Sequence, residues 1–594
     1  MAHRRDNNCM ASTTSRRTFV KGLAAGSLLS SLGLWRTPVW ALTSPGQPTV
    51  LSGTEFDLVI GETPVTITGA KRTALTINGS LPGPLLRWRE GDTVTLRVRN
   101  QLDEATSIHW HGIILPATMD GVPGLSFSGI APDGLYEYRF KVQQHGTYWY
   151  HSHSGFQEQR GVYGPLIIEP REPEAFAYDR DYVVMLTDWS DEKPEHILST
   201  LKKQADYYNN NQRTVVDFVN DVSEKGWSAT VKDRAMWAEM RMTPTDLADV
   251  TGATYTYLMN GVAPDGNWTG IFKPGEKIRL RFINGSAMSY FDVRIPGLKM
   301  TVVAADGQPI EPVSVDEFRI AVAETYDVIV EPSDQQAYTI FAQSLDRTGY
   351  ARGTLALREG LNAPVPDMDP RPLVSMADMG HGDHSAPSSQ GHAGMDHGSH
   401  GMDHSAMNHG TTHGEHDTGA MQTHPASEDG NPLVDMQTMM PAPKLDDPGM
   451  GLRDNGRRVL TYADLKSTFP DPDGREPTRT LELHLTGHME RFAWSFDGMK
   501  FSDAEPIRLT YGERVRIVLV NDTMMMHPIH LHGMWSDLED EHGRFMVRKH
   551  TIDMPPGSKR SYRVTADALG RWAYHCHMLF HMETGMFREV IVDV

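Results

Sequence analysis

The chain has 594 residues, with 32 Met, 27 His and only 2 Cys. At about 100–200 residues per domain, that length suggests three to five domains. Hydrophobic residues make up 39%, enough for soluble cores. The formal charge of -20 argues against a nucleic-acid partner, because phosphate binding needs a basic footprint. Two cysteines exclude a disulfide framework and a thiolate zinc site.

Ser15-Arg16-Arg17-Thr18-Phe19-Val20-Lys21 reads as a twin-arginine export pattern. The apolar run behind it, Gly22 to Trp35, is too short to span a bilayer, so a removable signal is expected rather than an anchor. Val39-Trp40-Ala41 offers a small-residue cleavage site. Residues 1–41 are therefore expected to be a signal read by the twin-arginine export machinery, delivering a monomer without a stable membrane anchor to the periplasm. Cys9 leaves with that signal, and the exported chain keeps Cys576.

Three stretches share one strand pattern: Gly91 to Asn100, Gly275 to Asn284 and Gly512 to Asn521 each run from Gly-acid to Asn with apolar and polar residues alternating. The first two follow Asn-Gly turns, Asn78-Gly79 and Asn260-Gly261. Many short strands punctuated by Gly, Pro and Asn predict β-sandwiches, and three copies predict three of them. Gly146 to His153 also aligns with Gly570 to His577, whereas the middle copy has no matching His-x-His. The middle sandwich is expected to be metal-free, and it carries a polar insertion from about Glu195 to Val250 that could be helical.

The expected boundaries are 42–175, 176–360 and 456–594 for the three sandwiches, with 361–455 as a Met/His-rich linker. From Met376 to His424 there are ten His and six Met, with no Leu, Ile, Val, Phe, Tyr or Trp. Such a composition buries too little apolar surface to offset its ordering entropy, so a disordered insert is predicted. Thioether and imidazole together suit Cu(I) and Cu(II), which points to copper recruitment as well as tethering.

Four His-x-His pairs carry the chemistry: His109-Trp110-His111, His151-Ser152-His153, His530-Leu531-His532 and His575-Cys576-His577. Alternate residues of a strand face one side, so each pair aims both imidazoles one way. Eight imidazoles from two domains would hold a cluster, divided as two ions with three imidazoles each and one with two. Cys576 must point away from His575 and His577. With His527, His581 and Met586 it completes two imidazoles, a thiolate and a weak axial thioether, the blue-copper electron-transfer set. A single such site would mean an electron carrier; a site wired to a cluster means an oxidase.

These motifs resemble the four copper signatures of the multicopper oxidases, and the leader, three-copy layout and Met/His-rich insert are similar to the bacterial periplasmic copper-resistance branch of that family. The resemblance implies three cupredoxin-like Greek-key domains and four copper ions, with substrate oxidised one electron at a time and dioxygen reduced to water. It makes His527, Cys576, His581 and Met586 the type 1 ligands and His109 and His530 the type 2 ligands. His111, His151, His153, His532, His575 and His577 would hold the type 3 pair. Asp120, nine residues after His111, matches the acid that the family keeps beside its cluster. Some copper-oxidising relatives carry a second acid directly after the second type 1 histidine; here that position is Met582, which leaves Glu583 as the candidate.

Asp522-Thr523-Met524-Met525-Met526 precede His527. On a strand, Met525 and His527 would share a face, placing a soft donor for Cu(I) beside the electron-accepting copper. Asp522, Met524 and Met525 are thus candidate substrate ligands, although the methionines could equally fill core space, and Asp522 is offset by one residue from the relatives' acid. Three functions compete: a cuprous oxidase, a laccase-like oxidase of phenols or amines using a small organic reductant, and a non-catalytic copper store.

Overall fold

The computed structural model describes residues 48–333, 335–381 and 421–594. The expected leader, and residues 382–420 of the Met/His-rich insert, lie outside the described residues. What is described is mostly β, in six sheets. Two belong to each copy of the repeat, and one continuous apolar core runs through all three copies. Among the described residues no helix is long and apolar enough to cross a membrane.

Each repeated stretch becomes a strand, at Thr93–Asn100, Ile278–Asn284 and Arg514–Asn521. Each lies parallel to the leading strand of its sandwich (Glu55–Val65, Arg180–Ser190 and Arg479–His488). Each is also antiparallel to a later strand (Leu135–Lys141, Thr325–Val330 and Lys559–Thr565). The closing Asn does the same work three times. Buried Asn100, Asn284 and Asn521 each donate their amide to two backbone carbonyls and accept the N–H two residues on.

The turn ahead of that strand is also threefold. Asn78-Gly79 and Asn260-Gly261 are left-handed, with φ of 54° and 75°, then 52° and 76°. The third copy uses Asp497-Gly498, at 53° and 70°, an Asp-Gly pair in place of Asn-Gly. In all three, the side-chain oxygen accepts from a leading-strand N–H, of Val59, Met185 and His484, at 2.7, 2.7 and 2.8 Å.

The insertion of the middle copy is helical, as Pro194–Leu201, Val215–Lys225 and Trp227–Glu239. Thr214 and Asp217 form a capping box at the second helix, which buries no residue. The chain beyond the helices turns inward, so that Thr245, Asp249 and Val250 are buried.

The stretch expected as a linker over 361–455 is narrower than its composition suggests. Its flanks pack on the body, burying Val374, Met379, Met436, Leu445 and Leu452, and Ala442 bridges to Ser558. Apolar side chains at spaced positions anchor segments that form almost no regular structure.

Candidate metal centre

Strand register distributes the candidate ligands. His109 sits opposite His151, and His530 opposite His575, across antiparallel pairs. On the His527–Leu531 strand, His527 and Ile529 share one face while His530 takes the other. Because Ile529 is the partner of Cys576, the strand sends His527 toward the thiol and His530 toward the imidazoles. Gly112 and Gly533 close the two His-x-His-Gly motifs with φ of 78° and 70°; a Cβ there would meet the His550 ring at 2.5 Å or the Trp572 ring at 2.3 Å.

The eight paired histidines converge in three groups. His153, His532 and His575 bring their rings to 5.0–5.3 Å, with His575 Nε2 lying 3.2 Å from His153 Nε2 and 3.0 Å from His532 Nε2. His111, His151 and His577 have ring centroids 4.9, 5.0 and 5.8 Å apart. His109 and His530 form the remaining pair, at 5.8 Å. Their outer nitrogens are occupied: His109 Nδ1 donates to the Asp120 carbonyl at 2.8 Å and His530 Nδ1 to the His550 carbonyl at 2.6 Å.

The inward nitrogens are left without partners. His109 Nε2, His111 Nδ1, His151 Nε2, His530 Nε2 and both nitrogens of His577 are buried with no hydrogen bond. Burial, then repulsion between neighbouring imidazoles, holds His111, His151, His153, His530, His532 and His577 well below the ordinary histidine range. Buried neutral imidazoles with open lone pairs are costly unless a cation satisfies them. The donor set fits copper.

Cys576 lies on the opposite face of its strand, with its Sγ 3.6 Å from His527 Nδ1 and 3.8 Å from His581 Nδ1. The two nitrogens are 3.1 Å apart, and all three side chains are buried. Buried Met586 follows, its N–H donating to the His581 carbonyl and its carbonyl accepting from the Cys576 N–H, both at 3.1 Å. Burial pushes the thiol well above the usual cysteine range, so a thiolate here needs a bound cation.

Carboxylates set the outer contacts. Asp120 lies among the paired histidines, with Oδ2 2.8 Å from His532 Nδ1 and Oδ1 3.3 Å from His109 Nδ1. Glu583 is not brought there: it is exposed on the Leu579–Thr584 helix, and no polar contact joins it to a cluster histidine. The buried acid that does reach the cluster is Glu158, 2.7 Å from His151 Nδ1, and burial holds its carboxyl well above the usual range. Asp249, delivered by the end of the middle-domain insertion, accepts from His581 Nε2 at 2.7 Å. Neither Glu158 nor Asp249 belongs to a motif, and Asp249 is 332 residues from its partner, so only the fold reveals them. His550 is a third omission: buried beside the cluster, its Nδ1 lies 3.1 Å from His111 Nε2.

The loop before His527 corrects one expectation. Asp522–Met526 is a bend between strands, so alternation does not place Met525 beside His527. Instead the Thr523 hydroxyl lies 2.8 Å from His527 Nε2. Met524, Met525 and Met526 are all buried. Asp522 Oδ1 accepts from the Thr438 N–H at 2.7 Å, and its Oδ2 faces His484.

Such a fold, with a thiolate pocket next to an eight-imidazole cluster, defines a copper-dependent oxidoreductase. Multicopper oxidase family models match residues 59–173, 180–360 and 474–594. The chain is 74% identical over 589 residues to a copper resistance protein A homolog of Pseudomonas syringae pv. tomato, covering 98% of this chain and 100% of that one. It is 68% identical to copper resistance protein A of Escherichia coli, covering 98% and 99%. Its fold is similar to that of Fet3p, described as a multicopper oxidase that functions in iron import, with a TM-score of 0.62, 18% identity and coverage of 91% and 90%. The chain belongs to the multicopper oxidase family.

Proposed function

We propose that the chain is a periplasmic cuprous oxidase of copper resistance, exported by the twin-arginine pathway, which oxidises Cu(I) to Cu(II) and reduces dioxygen to water. The observation that carries the oxidase reading is the buried thiol of Cys576 between His575 and His577. One strand serves two ligand pockets on opposite faces, joined by covalent bonds. His527, Cys576, His581 and Met586 would hold a type 1 copper, His109 and His530 a type 2 copper. His111, His151 and His577, with His153, His532 and His575, would hold the type 3 pair. Bound there, the four coppers supply one-electron acceptance and its delivery to dioxygen.

The protein's own residues prepare that chemistry. Asp249 and Thr523 occupy the outer nitrogens of His581 and His527, leaving both Nδ1 atoms for the metal. Asp120 and Glu158 fix His532 and His151 and are the buried acids near which protons are needed. Burial of the cluster excludes bulk water from it.

Cu(I) as substrate is supported by the buried methionine loop ahead of His527 and by the names of the nearly full-length relatives. Met524 and Met525 remain its candidate ligands, whereas the candidate Asp522 turns its oxygens to Thr438 and His484 instead; residues 382–420 would gather further copper. Comparing oxygen uptake driven by Cu(I) and by a phenol in Met525→Leu tests this. Selective loss with Cu(I) is expected, whereas equal losses, or none with Cu(I), would favour a laccase-like oxidase of phenols or amines.

A further inference from the structure

A second group of histidines and carboxylates lies apart from the ten-histidine centre. His484 stands on the Arg479–His488 strand and Asp522 directly follows the Arg514–Asn521 strand. His424 and Glu428 come from the flank that re-enters the fold after residue 420. Asp522 Oδ2 is 2.6 Å from His484 Nδ1 and 3.5 Å from His424 Nδ1. Glu428 places Oε2 3.3 Å from His424 Nδ1 and Oε1 3.6 Å from His484 Nδ1. The two rings are 5.0 Å apart at 65°.

The outer contacts orient this group as a ligand set. His424 Nε2 is 3.0 Å from the Thr438 carbonyl, which can only accept, so the ring carries its proton on Nε2 and turns the other nitrogen inward. His484 Nε2 faces Glu482 Oε1 at 3.4 Å. Asp522 Oδ1 accepts from the Thr438 N–H, and Glu428 Oε2, the oxygen that faces His424, also accepts from the Gln437 amide at 2.9 Å. His424 Nδ1 and Glu428 Oε1 are buried without a hydrogen bond, and the Glu428 side chain is 0% exposed. Two imidazoles and two carboxylates thus converge on one point, where a proton shared by His484 Nδ1 and Asp522 Oδ2 stands in the place a bound cation would take.

We propose that His424, Glu428, His484 and Asp522 form a binding site for a divalent copper ion, additional to the type 1, 2 and 3 positions. Two imidazoles and two carboxylates, with no sulfur among them, select Cu(II) over Cu(I). A hydrogen bond from the remote nitrogen to a carbonyl or carboxylate is the usual support of a metal-bound histidine. The site holds whether or not Cu(I) is the enzyme's substrate.

Copper-edge anomalous diffraction from crystals of the copper-loaded full chain needs no substitution. A peak about 2.0–2.2 Å from His424 Nδ1, His484 Nδ1 and an Asp522 oxygen is expected. In equilibrium dialysis against Cu(II), His424→Gln and Glu428→Gln should each lose one tightly held Cu(II) per chain, weakened at least about tenfold, with the blue absorbance intact. Anomalous peaks confined to the type 1, 2 and 3 positions would overturn the proposal. So would an unchanged copper count in both variants, leaving an ion-pair network only.

Discussion

A carboxylate on the outer nitrogen of an imidazole decides which nitrogen is left to bind a metal. Asp249 does this for His581 and Asp120 for His532, while the Ser152 carbonyl takes the outer nitrogen of His151 beside Glu158. Removing such a partner typically weakens metal retention about 10–100-fold. Asp249→Ala is therefore expected to release the type 1 copper more readily, measured as faster loss of blue absorbance to a chelator, with the cluster coppers retained. Retention equal to wild type would show that Asp249 only packs the insertion. The candidate ligands are legible in the sequence because His-x-His and His-Cys-His place alternate donors on known faces. Their supports are not, because a single Asp or Glu at a remote position has no local signature. Alternation misplaces Met525 for a related reason: it applies to strands, and Asp522–Met526 is a bend.

At the scale of elements, one small device is used three times. An Asn closes the central strand of each sandwich, bonding two carbonyls and one N–H. Asn284→Ala, in the copy without a His-x-His motif, would strand those buried groups. A loss of about 2–4 kcal/mol is expected, read as a lower denaturant midpoint with unchanged copper content. An unchanged midpoint would mean that water takes the place of the amide. The alternation of Gly91 to Asn100 and its two echoes makes these strands readable from the order of residues alone. The third turn, Asp497-Gly498, is open to the same reading, because Asp-Gly accepts the left-handed conformation as Asn-Gly does, whereas the flanks of the insert are hidden because their anchors are isolated apolar residues without periodicity.

For the whole molecule, the metal centres shape stability as well as chemistry. Burial holds His111, His151, His153, His530, His532 and His577 well below the ordinary histidine range, and His550 and His575 are pushed down to about 4 from an ordinary 6.5. An unfolded chain takes up protons between those values that the folded one does not, so stability rises with pH across that window. Copper-free protein should thus lose stability as pH falls from about 6.5 toward 4, and His550→Asn should flatten that slope; an undiminished slope would contradict it. The three-sandwich plan is legible because the repeat recurs in sequence; the docking of Asp249 against the third sandwich is not. Electrons entering through Cys576 are proposed to pass to the histidine cluster, where four of them, with four protons, reduce dioxygen to water. Oxygen uptake with Cu(I) as the only reductant tests this transfer most directly. Four Cu(I) should be oxidised per dioxygen without hydrogen peroxide, and Cys576→Ser should abolish the uptake while sparing much of the copper. Peroxide at two Cu(I) per dioxygen, or turnover undiminished in Cys576→Ser, would contradict it.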